Sequence, residues 1–111
     1  TRADMIAAGF SPSVRLFEAG ACGAAIVGDF WEGLGDLLPD GEAMVVAHET
    51  EDVVRLLTRT PEPARAAIAA EARARTLAGH TGFARARELI DVLEEAKTAR
   101  ASMTRKKVAG L

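Results

Sequence analysis

The side chains able to do chemistry gather in one stretch, Ser11-Pro-Ser-Val-Arg-Leu-Phe-Glu-Ala-Gly-Ala-Cys-Gly23. Ser11 and Ser13 stand where a helix should begin, and the amides and dipole of a helix N-terminus favour a phosphate or another anion. Gly9, two residues earlier, supplies the backbone bend that such a loop needs. Glu18 follows Phe17 and precedes the small residues Ala19, Gly20 and Ala21, so it is a charge where packing calls for none. Arg15, one turn before it, is a further contact for an anion or an ion-pair partner for Glu18. Asp29 can line a site at the end of a strand or cap the helix after it, and capping is the commoner role of an aspartate so placed. Trp31 can stack on a flat ligand, but beside Phe30 and Leu34 it reads as packing over a small core. His48 and His80 have no partner at metal-ligand spacing, and no Ser-His-Asp or paired-carboxylate pattern nominates a nucleophile. The single Cys22 cannot form an internal disulfide and, among small apolar neighbours, is expected to be buried and structural.

These residues need elements to hold them. Ser11 as N-cap and Pro12 as first helical residue open a helix, with Ser13 the competing cap and Gly23 its end. Met5 to Phe10 is an irregular or weakly helical lead-in. Ala24 to Val27 is short and apolar enough for a buried strand, and a short helix from Trp31 to Leu38 follows. Pro39-Asp40-Gly41 then turns the chain into a second strand over 43–47. Two strands joined through a helix pair in parallel by a right-handed crossover, which puts the ends of both strands on one crevice. Three more helices complete the pattern. Thr50 caps the first, with Val53, Val54, Leu56 and Leu57 buried. Thr60-Pro61-Glu62 opens the second, with Ala64, Ile68, Ala72 and Leu77 inward. Thr81 caps the third, with Phe83, Ala86, Leu89, Ile90, Leu93 and Ala96 on one face.

The segment Arg15-Leu-Phe-Glu-Ala-Gly-Ala-Cys-Gly23 with Ile26-Val27 resembles the glutamate helix of GT-B glycosyltransferases, most closely the CgeB-like, spore-maturation type. Met5, Gly9-Phe-Ser-Pro-Ser13, Asp29, Trp31-Glu-Gly-Leu34, Glu51-Asp-Val53 and His80-Thr81 match that family in order and spacing, up to about residue 95. The resemblance implies that Glu18 accepts hydrogen bonds from the ribose hydroxyls of a donor nucleotide. It also implies that the helix start at Gly9, Ser11, Ser13 and Arg15 faces the diphosphate. Family 4 retaining enzymes carry a second glutamate eight residues upstream, where this chain has Phe10, so donor-sugar contact and stereochemical outcome do not follow. Glu42 resembles an acidic residue near the donor in many GT-B proteins, but it precedes its strand and belongs at the opposite edge.

The 111 residues, with 49% hydrophobic content and 27% charge, suit one folded domain at most, and a net charge of −2 argues against a dedicated nucleic-acid binder. No apolar run reaches the roughly 18 residues of a membrane span, and the N-terminus lacks a secretory core, so cytoplasm is the expectation. The resemblance makes the fold α/β, a partial Rossmann-like domain with a short parallel sheet and a helical C-terminal end. Residues 1–99 are the expected fragment of a donor-binding domain, and 100–111 a basic, flexible tail. The implied role is to bind a nucleotide-diphosphate sugar as substrate, with no further cofactor, while a missing N-terminal domain supplies the catalytic base. Alternatives are a GT-B sugar-nucleotide epimerase and a non-catalytic interaction fragment that keeps Glu18 for packing or an ion pair with Arg15. Two strands leave two open edges, so the isolated piece is expected to self-associate.

Overall fold

The computed structural model describes residues 2–110. They form two compact units, one ending at Ala78 and one beginning at Gly79. The elements are α1 (Ala3–Ala8), α2 (Val14–Ala21), β1 (Val27–Gly28), α3 (Leu34–Leu37), β2 (Val45–Val46), α4 (Thr50–Arg59), α5 (Glu62–Gly79) and α6 (Gly82–Ala109). The chain is thus mostly helical, with one parallel pair of strands in which Val27 lies opposite Val45 and Gly28 opposite Val46.

The crossover predicted from the sequence is present, but both strands are shorter than their apolar runs. Helix α2 closes in a Schellman motif. Gly23, at φ 70°, donates to the Gly20 carbonyl at 2.9 Å, and Ala24 donates to the Ala19 carbonyl at 3.0 Å. Ala24 is therefore still finishing the helix, and pairing starts when Val45 N–H reaches the Ile26 carbonyl at 2.9 Å. The far edge of β2 is occupied by its own turn, since the Asp40 carboxylate accepts from Val46 N–H at 2.8 Å and Gly41 N–H donates to the Met44 carbonyl at 2.8 Å. One of the two expected open edges is thereby closed.

Ile26, Trp31, Leu34, Leu38, Ala43, Met44 and Ala72 form the core of the first unit, with Leu16, Ala19, Leu37 and Val46 packed against it. Trp31 is 4% exposed, as its apolar neighbours predicted. Backbones meet closely where Gly20 of α2 faces α5, and a Cβ there would overlap Thr76 Oγ1. Thr76 is buried and its hydroxyl has no partner among the described residues.

Several local expectations are corrected. Of the two readings of the lead-in, irregular or weakly helical, the helical one holds, but the helix α1 starts at Ala3 and ends at Ala8, before Phe10. Ser13, not Ser11, caps α2. Helix α3 is a single turn, Leu34–Leu37, whose N-cap is Gly33 at φ 92°, so Asp29 is not the cap of that helix. Helix α4 is capped by Glu49 rather than Thr50, because Asp52 in its first turn reaches back to accept from the amides of His48 at 3.0 Å and Glu49 at 3.2 Å. Val54 and Leu57 of α4 are exposed. On α5 the buried side chains are Ala69, Ala72 and Thr76, while Ala64 and Leu77 are exposed, so the inward face is rotated from the expected one. Cys22 is exposed, because the inward face of α2 ends at Gly20 and Cys22 is already its C-cap.

In the second unit, Thr81 caps α6 as expected, its hydroxyl accepting from Ala84 N–H at 3.2 Å. The helix then runs unbroken to Ala109, so residues 100–109 continue it rather than leaving it at 99. Its apolar stripe is not buried. Arg85 Nη2 donates to His80 Nδ1 at 2.6 Å. Partial burial, then the nearby Arg85 charge, hold the His80 imidazole below its ordinary pKa, against a smaller opposing effect of Glu88.

Candidate functional site

A cleft of about 680 Å³ opens in the first unit where the start of α2 meets the carboxyl end of β1. That volume lies within the range of small-molecule sites, and the carboxyl ends of strands are where open α/β sheets receive ligands. Its floor is apolar, made by Leu16, Ala19, Ile26, Trp31 and Met44, which are also core or core-packed residues. Its rim is polar. Ser11, Ser13 and Arg15 lie on one side, Gly28 and Asp29 continue from β1, and Arg2 and Met5 come from the start of α1.

Each rim group is set by local backbone. Ser11 Oγ donates to the Gly9 carbonyl at 3.1 Å, which closes the tight turn before α2 and leaves the hydroxyl oxygen able to accept. Ser13 Oγ accepts from Arg15 N–H at a long 3.4 Å, and Leu16 N–H is turned back onto the Ser13 carbonyl at 3.1 Å. Val14 N–H has no partner among the described residues, so it and the weakly held Arg15 N–H are the donors that the helix end offers to a ligand. Arg15 makes no ion pair among the described residues. Arg2 pairs with Asp4 at 3.6 Å with both side chains largely exposed, a contact that holds the guanidinium only weakly. Two guanidiniums, those of Arg2 and Arg15, thus stand at the rim with the carboxylate of Asp29, and Asp4 offsets the charge of Arg2.

The structure thus brings Ser11, Ser13 and Arg15 together and separates them from the other two residues singled out in the sequence. Gly9 is buried behind the rim at φ 63°, and a Cβ there would come within 3.2 Å of Glu32 Cβ, so its part is close backbone approach rather than lining. Glu18 is exposed on α2 and lies outside the cleft wall. It makes no ion pair with Arg15 or with any other described residue, and its exposure rules out a packing role.

For Asp29 and Trp31 the sequence allows both a site role and a structural one, capping and core packing being the commoner. Both line the cleft, and the signal for Asp29 was its place directly after a strand. Arg2 carried no signal, since only the course of α1 brings it to the rim. His48 and Glu42 are not in the cleft. Glu42 instead meets Arg75 at 3.3 Å.

A family model described as glycosyl transferase-like matches residues 1–91. No curated protein and no solved structure matches the chain. No helix among the described residues is long and apolar enough to cross a membrane.

Proposed function

From the premise that this chain belongs to the glycosyl transferase-like family, we propose that it is the donor-binding portion of a CgeB-like GT-B glycosyltransferase and that its ligand is a nucleotide-diphosphate sugar. The observation that carries this reading is the cleft itself, a polar rim bearing Arg15 at a helix N-terminus over an apolar floor at the end of a parallel strand. The diphosphate is assigned to Ser13, Val14 N–H and Arg15, with Ser11 and Arg2 beside them. In glycosyl transfer the diphosphate leaves as the bond to the sugar breaks, so cations fixed at this rim stabilise charge that grows in the transition state. Glu18 stands three residues beyond Arg15, or about 4.5 Å along the helix axis. It lies outside the cleft wall, so its contact to the two ribose hydroxyls is assigned on the resemblance of α2 to the glutamate helix and not on the lining of the cleft. The acceptor and its general base are assigned to the rest of a longer parent protein. Among the described residues Glu18 makes neither the ion pair with Arg15 nor the packing contact that the interaction-fragment reading gave it.

Calorimetric titration with uridine and guanosine diphosphates tests this. Hydrogen bonds to a charged group are worth roughly 1.5 to 3 kcal/mol, so Glu18→Gln, which keeps size and loses charge, is expected to bind at least about tenfold more weakly. Unchanged affinity would remove Glu18 from the site. Equal affinity for uridine and uridine diphosphate would remove the helix end as a phosphate seat.

A further inference from the structure

Phe10 is the only described residue other than glycine with positive φ, at 48°. An L side chain reaches that region at a cost of order 1 kcal/mol or more, and such strain persists only where the surroundings impose it. Here they do so at two points. Phe10 N–H donates to the Glu32 carbonyl at 2.7 Å. Its ring lies against Gly33, which sits at φ 92° and where a Cβ would overlap the ring carbons. The preceding Gly9 meets Glu32 as well, and a Cβ on Gly9 would come within 3.2 Å of Glu32 Cβ. Core burial does not explain this arrangement, because Phe10 is 65% exposed.

What the contact joins does explain it. Phe10 is followed at once by Ser11 at the rim of the cleft, and Glu32 is preceded at once by Trp31 in its floor, two residues after Asp29 at the rim. We propose that Phe10 is a positioning residue of the cleft. Its amide and ring latch the Gly9–Phe10 bend to the Glu32–Gly33 turn, and the latch fixes the spacing between Ser11 and the Asp29–Trp31 segment. Gly33 is glycine because the ring occupies the place of its side chain. The latch rests on geometry alone, whereas the ligand it serves rests on the donor-site reading of the cleft.

The test is Phe10→Gly in the intact chain. Glycine adopts the bend without strain and lacks the ring, so stability and positioning should move in opposite directions. The thermal midpoint is expected to stay level or rise. Acrylamide quenching of Trp31, the only tryptophan, should increase. Affinity for uridine diphosphate should fall about tenfold while that for uridine stays the same, because misplacing one wall by a fraction of an ångström costs the contacts that need both. A second variant, Gly33→Ala, drives a methyl into the ring and should lower diphosphate affinity and the thermal midpoint together, and adding Phe10→Gly should recover part of both. If Phe10→Gly leaves Trp31 as shielded and uridine diphosphate as tightly bound as before, or lowers the midpoint like an ordinary core truncation, the latch is overturned. If the unaltered chain binds neither uridine nor guanosine diphosphate, the donor-site reading fails instead, and the quenching of Trp31 in Phe10→Gly decides the latch without a ligand.

Discussion

Gly20 shows how one missing side chain sets the position of the cleft. It lets α2 approach α5 so closely that a Cβ would overlap Thr76 Oγ1, and the adjoining surface of the same helix carries Leu16, one turn before Gly20, and Ala19 onto the cleft floor. Gly20→Ala gains about 1 kcal/mol of helix propensity but overpacks a tight contact, which costs about 1 to 3 kcal/mol, so a net loss of about 1 kcal/mol is expected. Thr76→Ala alone should be nearly neutral, since it deletes a buried hydroxyl that has no partner among the described residues while leaving a small gap. The double variant should be more stable than the sum of the two singles, because the methyl of one fills the space vacated by the other. Urea unfolding of the four proteins measures this coupling, and simple additivity would mean that the two helices do not meet there as described.

Among the elements, α4 owes its start to Asp52. Its carboxylate accepts from the amides of His48 and Glu49 and from Arg55 Nη1 at 3.1 Å. These bonds, the His48 amide first and the Glu49 amide next, hold its pKa below the ordinary 3.8, outweighing the opposing effect of desolvation, and Arg55 adds to them. A folded value below the unfolded one means that the contribution is complete above pH 3.8 and is lost as pH falls from there through the depressed value. Asp52→Asn is therefore expected to lower the thermal midpoint by a constant amount at neutral and mildly acid pH, and the gap should close only below pH 3.8. A gap that closed near pH 6 would point to a histidine instead. Arg65 ties the other end of α4 to α5, its Nη1 donating to the Thr60 carbonyl at 2.8 Å and also reaching the Leu56 carbonyl at 3.4 Å. A cation at a helix C-terminus suits both the free carbonyls and the dipole.

For the molecule as a whole, the weak point is the sheet. Two strands of two residues each cannot sustain a sheet alone, and parallel pairs are normally built into more strands and covered on both faces. The turn through Asp40 closes the outer edge of β2, which leaves the outer edge of β1 without a partner strand among the described residues. Val27 on that strand is 40% exposed. The 111-residue chain is expected to associate through that edge or to be loosely packed, so light scattering on a sizing column should give a mass that rises with concentration above 11.7 kDa. A sharp monomer peak with a cooperative thermal transition and strong near-ultraviolet dichroism from Trp31 would show that two strands suffice.

Local chemistry was legible in the residues themselves. Gly23 at the end of α2, the parallel order of the strands, the buried Trp31 and the Thr81 cap all follow from short-range sterics and hydrogen bonding, which neighbouring residues encode, whereas between Ser11 and Ser13 as the cap of α2 the structure decided for Ser13. What failed depended on contacts between distant segments. Which way α5 faces was decided by Gly20 meeting Thr76, and the length of β1 by a helix ending that uses the amide of Ala24. Cys22 lies outside because the buried face of α2 ends two residues earlier. The candidate site divides in the same way. Ser11, Ser13 and Arg15 could be named from their place at a helix start. Arg2 joined them only through the fold, the fold placed Asp29 and Trp31 in the cleft where the sequence had favoured capping and packing, and Glu18 was left on the outer surface. The bend at Phe10 could not be read at all, because a positive φ in phenylalanine is imposed by Glu32 and Gly33, more than twenty residues away in sequence, and by nothing in its own neighbourhood.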